Sequence, residues 1–197
     1  TLAAWLGTLQ APGAATAAVA LPEALAVETA NAGNLDLLAP VYLRFLEKLM
    51  DTLPAEVLAP EKRQLYVEHE KACFAQLAGD VAFALLPPSK EFPLRLAEYV
   101  GLKDSAALRA KLTDTVQLAN DMFQVMMAAE TNAPLPLKVQ FALAEPREYR
   151  EIAVDKMVYS LELGSELAAL WPPAIPTKFE IELAWVPGGV LAAVGGP

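Results

Sequence analysis

The stretch FEIELAWVPGGVLAAVG, residues 179–195, decides the fold class because two apolar segments flank a single turn. In the first segment the large apolar residues alternate with Glu180, Glu182 and Ala184, and this period of two predicts a strand with one buried face. The turn VPGG, 186–189, suits type II geometry, because proline fixes φ at its second position and glycine accepts a positive φ at its third. The stretch therefore predicts an antiparallel β-hairpin.

Two other stretches share the arrangement of apolar run, proline and second apolar run. They are AAVALPEALAVETA at 17–30 and VAFALLPPSKEFPLRLAEYV at 81–100, and each predicts a hairpin. Further strands are predicted at 137–143, where apolar and polar residues alternate, and from 152 to 163. In the latter segment the alternation changes parity at Asp155-Lys156, which predicts a bulge or a tight turn there.

Apolar residues at helical spacing predict three amphipathic helices. The first follows Asn34, and because proline is best accommodated in the first helical turn, Pro40 predicts a start near Ala39. A second helix is predicted over 58–78 and a third over 105–130. The apolar row of the first helix comprises Leu38, Tyr42, Phe45, Leu46, Leu49 and Leu53.

The third helix, 105–130, is predicted to be one continuous element capped by Asp104 or Ser105. We predict that its apolar row packs on the strand 81–86, because an all-apolar strand needs cover on both faces. That row includes Leu108, Leu112, Ala119, Met122 and Met126. The segment 164–177 is predicted to be a connection with at most one helical turn.

These elements together predict an α+β protein with an antiparallel sheet built from hairpins and amphipathic helices packed on one face. We expect a single domain over 1–197, in which a strand-strand-helix unit is duplicated as two half-repeats, 14–80 and 81–197. Because the sequence stops at GGP directly after a hairpin, we expect the natural chain to extend beyond one or both of these ends.

One part of the chain resembles a known group of proteins. LAGDVAFALLP at 77–87, followed by LRLAEYVGLKDSAALRAKL at 94–112, is similar to uncharacterised bacterial extracytoplasmic proteins with a repeated strand-strand-helix unit. The resemblance implies an exported α+β protein and brings no catalytic residues with it. From it we expect a periplasmic or otherwise extracytoplasmic location. A membrane tether through a segment outside this sequence is a separate expectation.

The charge balance excludes two classes of partner. The chain has 24 acidic against 15 basic residues and a net charge of -9. Nucleic-acid binding requires clustered Lys and Arg that neutralise phosphates, and an anionic membrane surface requires a similar cluster. We therefore predict no nucleic-acid partner. A single cysteine also rules out an internal disulfide.

The stretch LYVEHEKACF, 65–74, holds the best candidates for chemistry. His69 and Cys73, the only histidine and cysteine of the chain, lie four residues apart, with Glu70 beside them. A structural zinc site takes four ligands, and the chain has no other histidine or cysteine, so we predict no metal. We also predict no cofactor. A Cys–His nucleophile pair on one helix lacks an oxyanion hole, which favours Cys73 as a small buried residue and His69 at the edge of the apolar face. Glu70 is predicted to pair with Arg63 or Lys71, or to reach solvent past a frayed helix end, or to be a buried acid with a raised pKa that could serve as an acid or base.

A cluster of flexible side chains near the end of the third helix provides candidate ligand contacts. It comprises Met122, Phe123, Met126 and Met127. Methionines provide an adaptable lining for an apolar ligand, and equally they fill irregular gaps in a core. Glu180 and Glu182 are predicted to form a solvated, charged strand face.

The sequence favours a non-enzymatic, exported bacterial domain for binding, scaffolding or assembly. The first alternative is a carrier in which the sheet and the methionine-rich helix enclose a hydrophobic small molecule or lipid. The second is a hydrolase that uses Glu70 and His69, which requires that both face one concave pocket. The corresponding partners are a protein or an apolar ligand.

Overall fold

The computed structural model of the protein describes residues 23–55, 58–90, 92, 95–129, 137–172 and 176–195, without the side chains of Met126, Ala128 and Ala129. The helices are α1 Leu35–Asp51, α2 Pro60–Phe74, α3 Ser105–Arg109, α4 Leu112–Ala129 and α5 Ser165–Leu170. The strands are β1 Ala26–Asn31, β2 Leu77–Leu86, β3 Arg95–Leu102, β4 Leu137–Leu143, β5 Arg147–Tyr149, β6 Ile152–Leu163, β7 Lys178–Val186 and β8 Gly189–Val194.

All of these strands join one antiparallel sheet, which confirms the α+β class. Its order is β1-β2-β3-β8-β7-β6-β4, with β5 paired to β6 outside this path. Two predicted hairpins are present, β2 with β3 and β7 with β8. In the turn of the second, Gly188 has a φ of 79°, as a type II turn requires at its third position.

The prediction for 17–30 is tested only in part. Its second arm forms β1, which pairs with β2 so that Ala26 lies opposite Leu85 and Asn31 opposite Asp80. Residues 17–22 lie outside the described residues, so the hairpin and the half-repeats 14–80 and 81–197 stay predictions. At the far end of this strand pair, the backbone of Gly79 lies close to that of Gly33. Gly79 has a φ of 102°, and a Cβ at this position would lie only 2.6 Å from the Gly33 carbonyl oxygen, so the position requires glycine.

The predicted slip at Asp155-Lys156 is wrong. β6 runs without interruption from Ile152 to Leu163, and its pairing with β7 keeps one register from Ala153 to Ser160. The apolar alternation changes parity because a polar residue, Asp155, occupies an inward-facing position opposite Leu183, where the alternation predicts an apolar residue. The tight turn lies earlier, at Arg150 and Glu151, which both have a positive φ.

The predicted start of the first helix is also wrong. α1 begins at Leu35, because the Asn34 side chain accepts a hydrogen bond from the Asp36 amide at 3.0 Å and caps the helix there. Pro40 therefore lies in the second turn, where it removes one backbone hydrogen bond. Both Pro40 and Asp36 are exposed, so water can satisfy the Asp36 carbonyl.

The apolar row predicted for the first helix is in fact two rows. Leu46 and Leu53 pack inward against the buried Met50, as predicted from their spacing. Phe45 and Leu49, in contrast, are 64% and 47% exposed. Spacing alone could not separate the rows, because apolar residues occupy more of the helix surface than its neighbours cover.

The predicted helix 105–130 is broken at Ala110 and Lys111, and this part of the prediction is wrong. The Asp104 carboxylate caps α3 as predicted, accepting a hydrogen bond from the Ala107 amide at 2.9 Å. The predicted packing on β2 is wrong as well, because α4 packs mainly on β4, and the main helix contact of β2 is with α1. Phe83 on β2 is accordingly exposed.

A compact apolar cluster joins three helices to one another. Met50 of α1, Tyr66 of α2 and Leu58 before α2 form its buried centre, and Leu118 of α4 packs against them. The Tyr66 hydroxyl donates a 2.6 Å hydrogen bond to the Leu118 carbonyl, and burial raises the pKa of Tyr66 to about 12. We call Met50, Leu58 and Tyr66 the helix cluster. In the described part of the chain, no helix is long and apolar enough to cross a membrane.

Candidate functional site

The candidate residues of α2 point toward two different helices. His69 lies against α4, with its Nε2 2.9 Å from the Thr115 hydroxyl and 3.4 Å from the Cys73 sulfur. Glu70 lies against α1 and accepts a 3.0 Å hydrogen bond from the Tyr42 hydroxyl. The shallow groove beside His69 is lined by residues of α2 and α4, and Glu70 is not among them. Among the described residues, the two groups that a hydrolase would use therefore face different helices and do not line this groove together.

Glu70 has a partner that the sequence did not suggest. The predicted alternatives were Arg63 and Lys71, but the Arg63 guanidinium donates to the Leu58 and Leu53 carbonyls instead. The Tyr42 ring also stacks on Phe74, at 4.9 Å between centroids. Burial, followed by the adjacent Glu70 carboxylate, raises the pKa of Tyr42, so this contact is a neutral hydroxyl held by a carboxylate.

Cys73 is held in its unreactive form. Burial is the largest influence and raises the pKa of the thiol, and the nearby Glu70 carboxylate acts in the same direction. A protonated thiol is a poor nucleophile and a poor metal ligand. Within the described ranges no group of three or more His, Cys, Asp or Glu side chains is placed to hold a metal ion.

Two of the four candidate residues near the end of α4 contact interior residues. Met122 packs against the helix cluster, and the Phe123 ring lies 5.6 Å from that of Phe141 on β4. Met127 is half-buried, and the side chain of Met126 lies outside the described residues. The two best-described candidates are thus engaged with neighbouring core residues.

The sequence did not point to a polar cluster that lies beneath α3. Arg109 donates two hydrogen bonds to Asp155 on β6, from Nε to Oδ2 at 2.7 Å and from Nη2 to Oδ1 at 3.0 Å. The indole Nε1 of Trp185 on β7 donates to the same Oδ2 at 2.7 Å. The hydrogen bonds from Arg109 lower the pKa of the Asp155 carboxyl, burial opposes them, and the Trp185 bond lowers it further. We call these three residues the Asp155 cluster.

Local geometry explains how these groups meet. The break after α3 leaves Arg109 at a helix end, over the strands β6 and β7. Asp155 lies opposite Leu183 in the pairing of those strands, and Trp185 is two residues further along β7 on the same face. The parity change at Asp155 was the one sequence signal that could have exposed this cluster.

A groove adjoins the Asp155 cluster. It has a volume of about 520 Å³ and lies between the α3–α4 junction and the connection that follows β4. Its walls are mainly apolar, and its polar groups are Arg109, Asp155 and Thr113. Among the apolar contributors are Ala106, Ala110, Leu112, Leu143 and Pro146.

A second candidate surface is the outer side of α1. Val41, Phe45 and Leu49 follow one another at intervals of four residues, so they lie along one side of the helix, and they are 52%, 64% and 47% exposed. Arg44 and Lys48 flank the row, because each lies three residues beyond a member of it. We call Val41, Phe45 and Leu49 the outer row.

The opposite sheet face carries the predicted glutamates in ion pairs. Glu180 pairs with Lys156 at 2.7 Å, and Glu182 pairs with Arg147 at 2.8 Å. These contacts link β5, β6 and β7 on the surface. Alternating charges of this kind are typical of a stabilised strand face rather than of paired catalytic carboxylates.

Comparisons of this chain with models of protein families, with curated proteins and with solved structures found no significant match. The resemblance of 77–112 to bacterial extracytoplasmic proteins therefore stays a prediction.

Proposed function

We propose that this chain is a non-enzymatic binding domain that docks an acidic amphipathic helix of a partner protein on the outer side of α1. The observation that carries the proposal is the outer row, three large apolar side chains exposed on one side of a single helix. Single exposed apolar residues are ordinary, but a contiguous row on a helix is typical of an interaction surface. A partner helix would bury this row against its own apolar side.

The charges beside the outer row favour an acidic partner. Arg44 and Lys48 are both exposed and flank the row on the same side. Neither has an ion-pair partner among the described residues. In a chain of net charge -9, two adjacent unpaired cations form a local attraction for carboxylates.

The candidate residues for chemistry support a binding role rather than a catalytic one. His69 contacts Thr115, Glu70 is held by Tyr42, and burial keeps the Cys73 thiol protonated. His69 contacts both Cys73 and Thr115, whereas Glu70 faces α1, so the three groups do not converge on one point. The extracytoplasmic location, and a tether outside this sequence, are part of the proposal and rest on the resemblance of 77–112 alone.

The test uses two fluorescein-labelled synthetic helices with the same leucine face. One has glutamates and the other has lysines on its flanks, and both are titrated by fluorescence anisotropy at about 0.15 M salt, where the screening length is about 8 Å. We expect the acidic helix to bind more tightly, and Phe45→Asp to weaken its binding at least tenfold. Leu170→Asp is the matched control, because Leu170 is 81% exposed but lies alone on α5.

Charge reversal separates this proposal from its competitors. Arg44→Glu combined with Lys48→Glu should weaken the acidic helix and strengthen the basic one. Equal binding of the two helices by the parent chain would contradict the proposal. Two other results would replace it: a dimer that Phe45→Asp dissociates in sedimentation, or binding to phosphatidylglycerol vesicles that Phe45→Asp abolishes.

A further inference from the structure

The groove beside the Asp155 cluster has the dimensions of a small-molecule site. Its volume of about 520 Å³ falls inside the range of roughly 300–1,000 Å³ that such sites occupy. Ala106 and Ala110 are exposed along its α3 wall, and their small side chains leave the space open. None of its lining residues belongs to α1, so the groove is distinct from the proposed docking surface.

At the floor of the groove, the Arg109 guanidinium has N–H groups that can donate hydrogen bonds to a ligand. The Arg109 guanidinium gives Nε and Nη2 to Asp155, while Nη1 has no hydrogen-bond partner among the described residues. The side chain is 37% exposed and contributes to the groove lining. The two bonds to Asp155 fix the plane of the guanidinium, so the direction of the remaining N–H groups is also fixed.

The charges at this floor discriminate between ligand classes. Asp155 already neutralises Arg109, so a carboxylate ligand would place a second negative charge beside the same guanidinium. A cationic ligand would lie nearer to Arg109 than to its counter-ion, because the Arg109 side chain is 37% exposed and that of Asp155 only 13%. A neutral ligand oxygen, in contrast, can accept a hydrogen bond from Nη1 of Arg109 without charge repulsion from Asp155 or from Arg109.

We propose that this groove binds a neutral amphiphile, with a carboxamide or carbonyl head on Arg109 and an apolar body along the walls. Leu112, Leu143 and Pro146 provide apolar contact for the body. A primary carboxamide suits the site best, because its oxygen accepts from Arg109 and its N–H can donate to the hydroxyl of Thr113, which also lines the groove. The proposal adds a small-molecule site to the protein-docking role.

Three ligands with the same alkyl chain test the head-group prediction. Octanamide, octanoate and octylamine are titrated at pH 7 while the indole N–H resonance of Trp185 is followed by NMR. That resonance, assigned with Trp185→Phe, reports on the cluster because the indole donates to Asp155. We expect octanamide to shift it saturably, and octanoate and octylamine to bind at least tenfold more weakly.

A matched pair of variants locates the site. Ala110→Trp fills the groove from the C-cap of α3, where φ is -59° and ψ is -19°. Ala75→Trp makes the same change at the exposed C-cap of α2, where φ is -61° and ψ is -22°. Ala110→Trp should abolish octanamide binding and Ala75→Trp should leave it unchanged.

The outcomes that overturn the proposal are equally definite. Octanoate binding as tightly as octanamide would show that the floor recognises charge rather than a neutral acceptor. Equal effects of Ala110→Trp and Ala75→Trp would place the binding elsewhere, and no saturable shift up to the solubility limit of octanamide would mean that the groove has no such ligand. None of these results depends on peptide binding at the outer row.

Discussion

The helix cluster and the Asp155 cluster both hold helices in place, but by different physical means. In the helix cluster, Met50, Leu58 and Tyr66 exclude water by apolar packing, with one hydrogen bond from Tyr66. In the Asp155 cluster, one carboxylate takes three hydrogen bonds from Arg109 and Trp185 and so connects α3 to two strands. The helix cluster therefore depends on filled volume and the Asp155 cluster on charge, so the two should be weakened by different perturbations.

Truncation inside the helix cluster should have the largest effect on stability. Leu58 is only 1% exposed, so Leu58→Ala leaves a cavity among α1, α2 and α4 and should cost about 2–5 kcal/mol in the free energy of unfolding. Leu170→Ala, at the exposed site on α5, should cost less than about 0.5 kcal/mol. Urea unfolding of both variants measures the difference, and equal midpoints would show that Leu58 contributes no packing.

Removal of the carboxylate from the Asp155 cluster should have an intermediate effect. Asp155→Ala removes the shared acceptor of Arg109 and Trp185, and hydrogen bonds to a charged group of this kind suggest a loss of about 1–3 kcal/mol. The control is Glu162→Ala, which breaks the exposed pair with Lys138 and should cost at most about 1 kcal/mol. If the two variants unfold at the same urea concentration, the Asp155 cluster is no stronger than a surface ion pair.

The two clusters should also respond differently to pH. The folded-state pKa of Asp155 lies below its unfolded value of about 3.9, so its contribution is complete above that pH and is lost as the pH falls through the folded pKa. The stability difference between the parent and Asp155→Asn should therefore shrink as the pH is lowered from about 5 to about 3. The difference between the parent and Leu58→Ala should stay constant over that range. A difference for Asp155→Asn that does not change with pH would contradict the lowered pKa.

Several features that follow from local spacing were predicted correctly from the sequence. The hairpins 81–100 and 179–195 are present, the Asp104 cap is present, and the α+β class is confirmed. These features depend on alternation, turn residues and capping within a few positions of one another. Nothing beyond a short window is needed to predict them.

Contacts between distant polar residues could not be predicted in this way. Arg109 and Asp155 are separated by 46 positions, and the inward carboxylate looked like a break in the strand pattern. The same limit applies to Glu70, whose partner Tyr42 lies on another helix. The two rows of α1 were merged for a related reason, since the sequence shows which residues are apolar but not how much of a helix its neighbours cover.

The most direct test of the account is one paired measurement on the outer row of α1, stability beside binding. Phe45 is 64% exposed, so Phe45→Asp should change the free energy of unfolding by less than about 0.5 kcal/mol, as little as Leu170→Ala. The same variant should bind the glutamate-flanked helix at least tenfold more weakly than the parent. Unchanged stability with lost binding is the result that a docking surface predicts. A loss of stability comparable to that of Leu58→Ala, or unchanged affinity for the acidic helix, would contradict the claim that α1 presents its outer row to a partner.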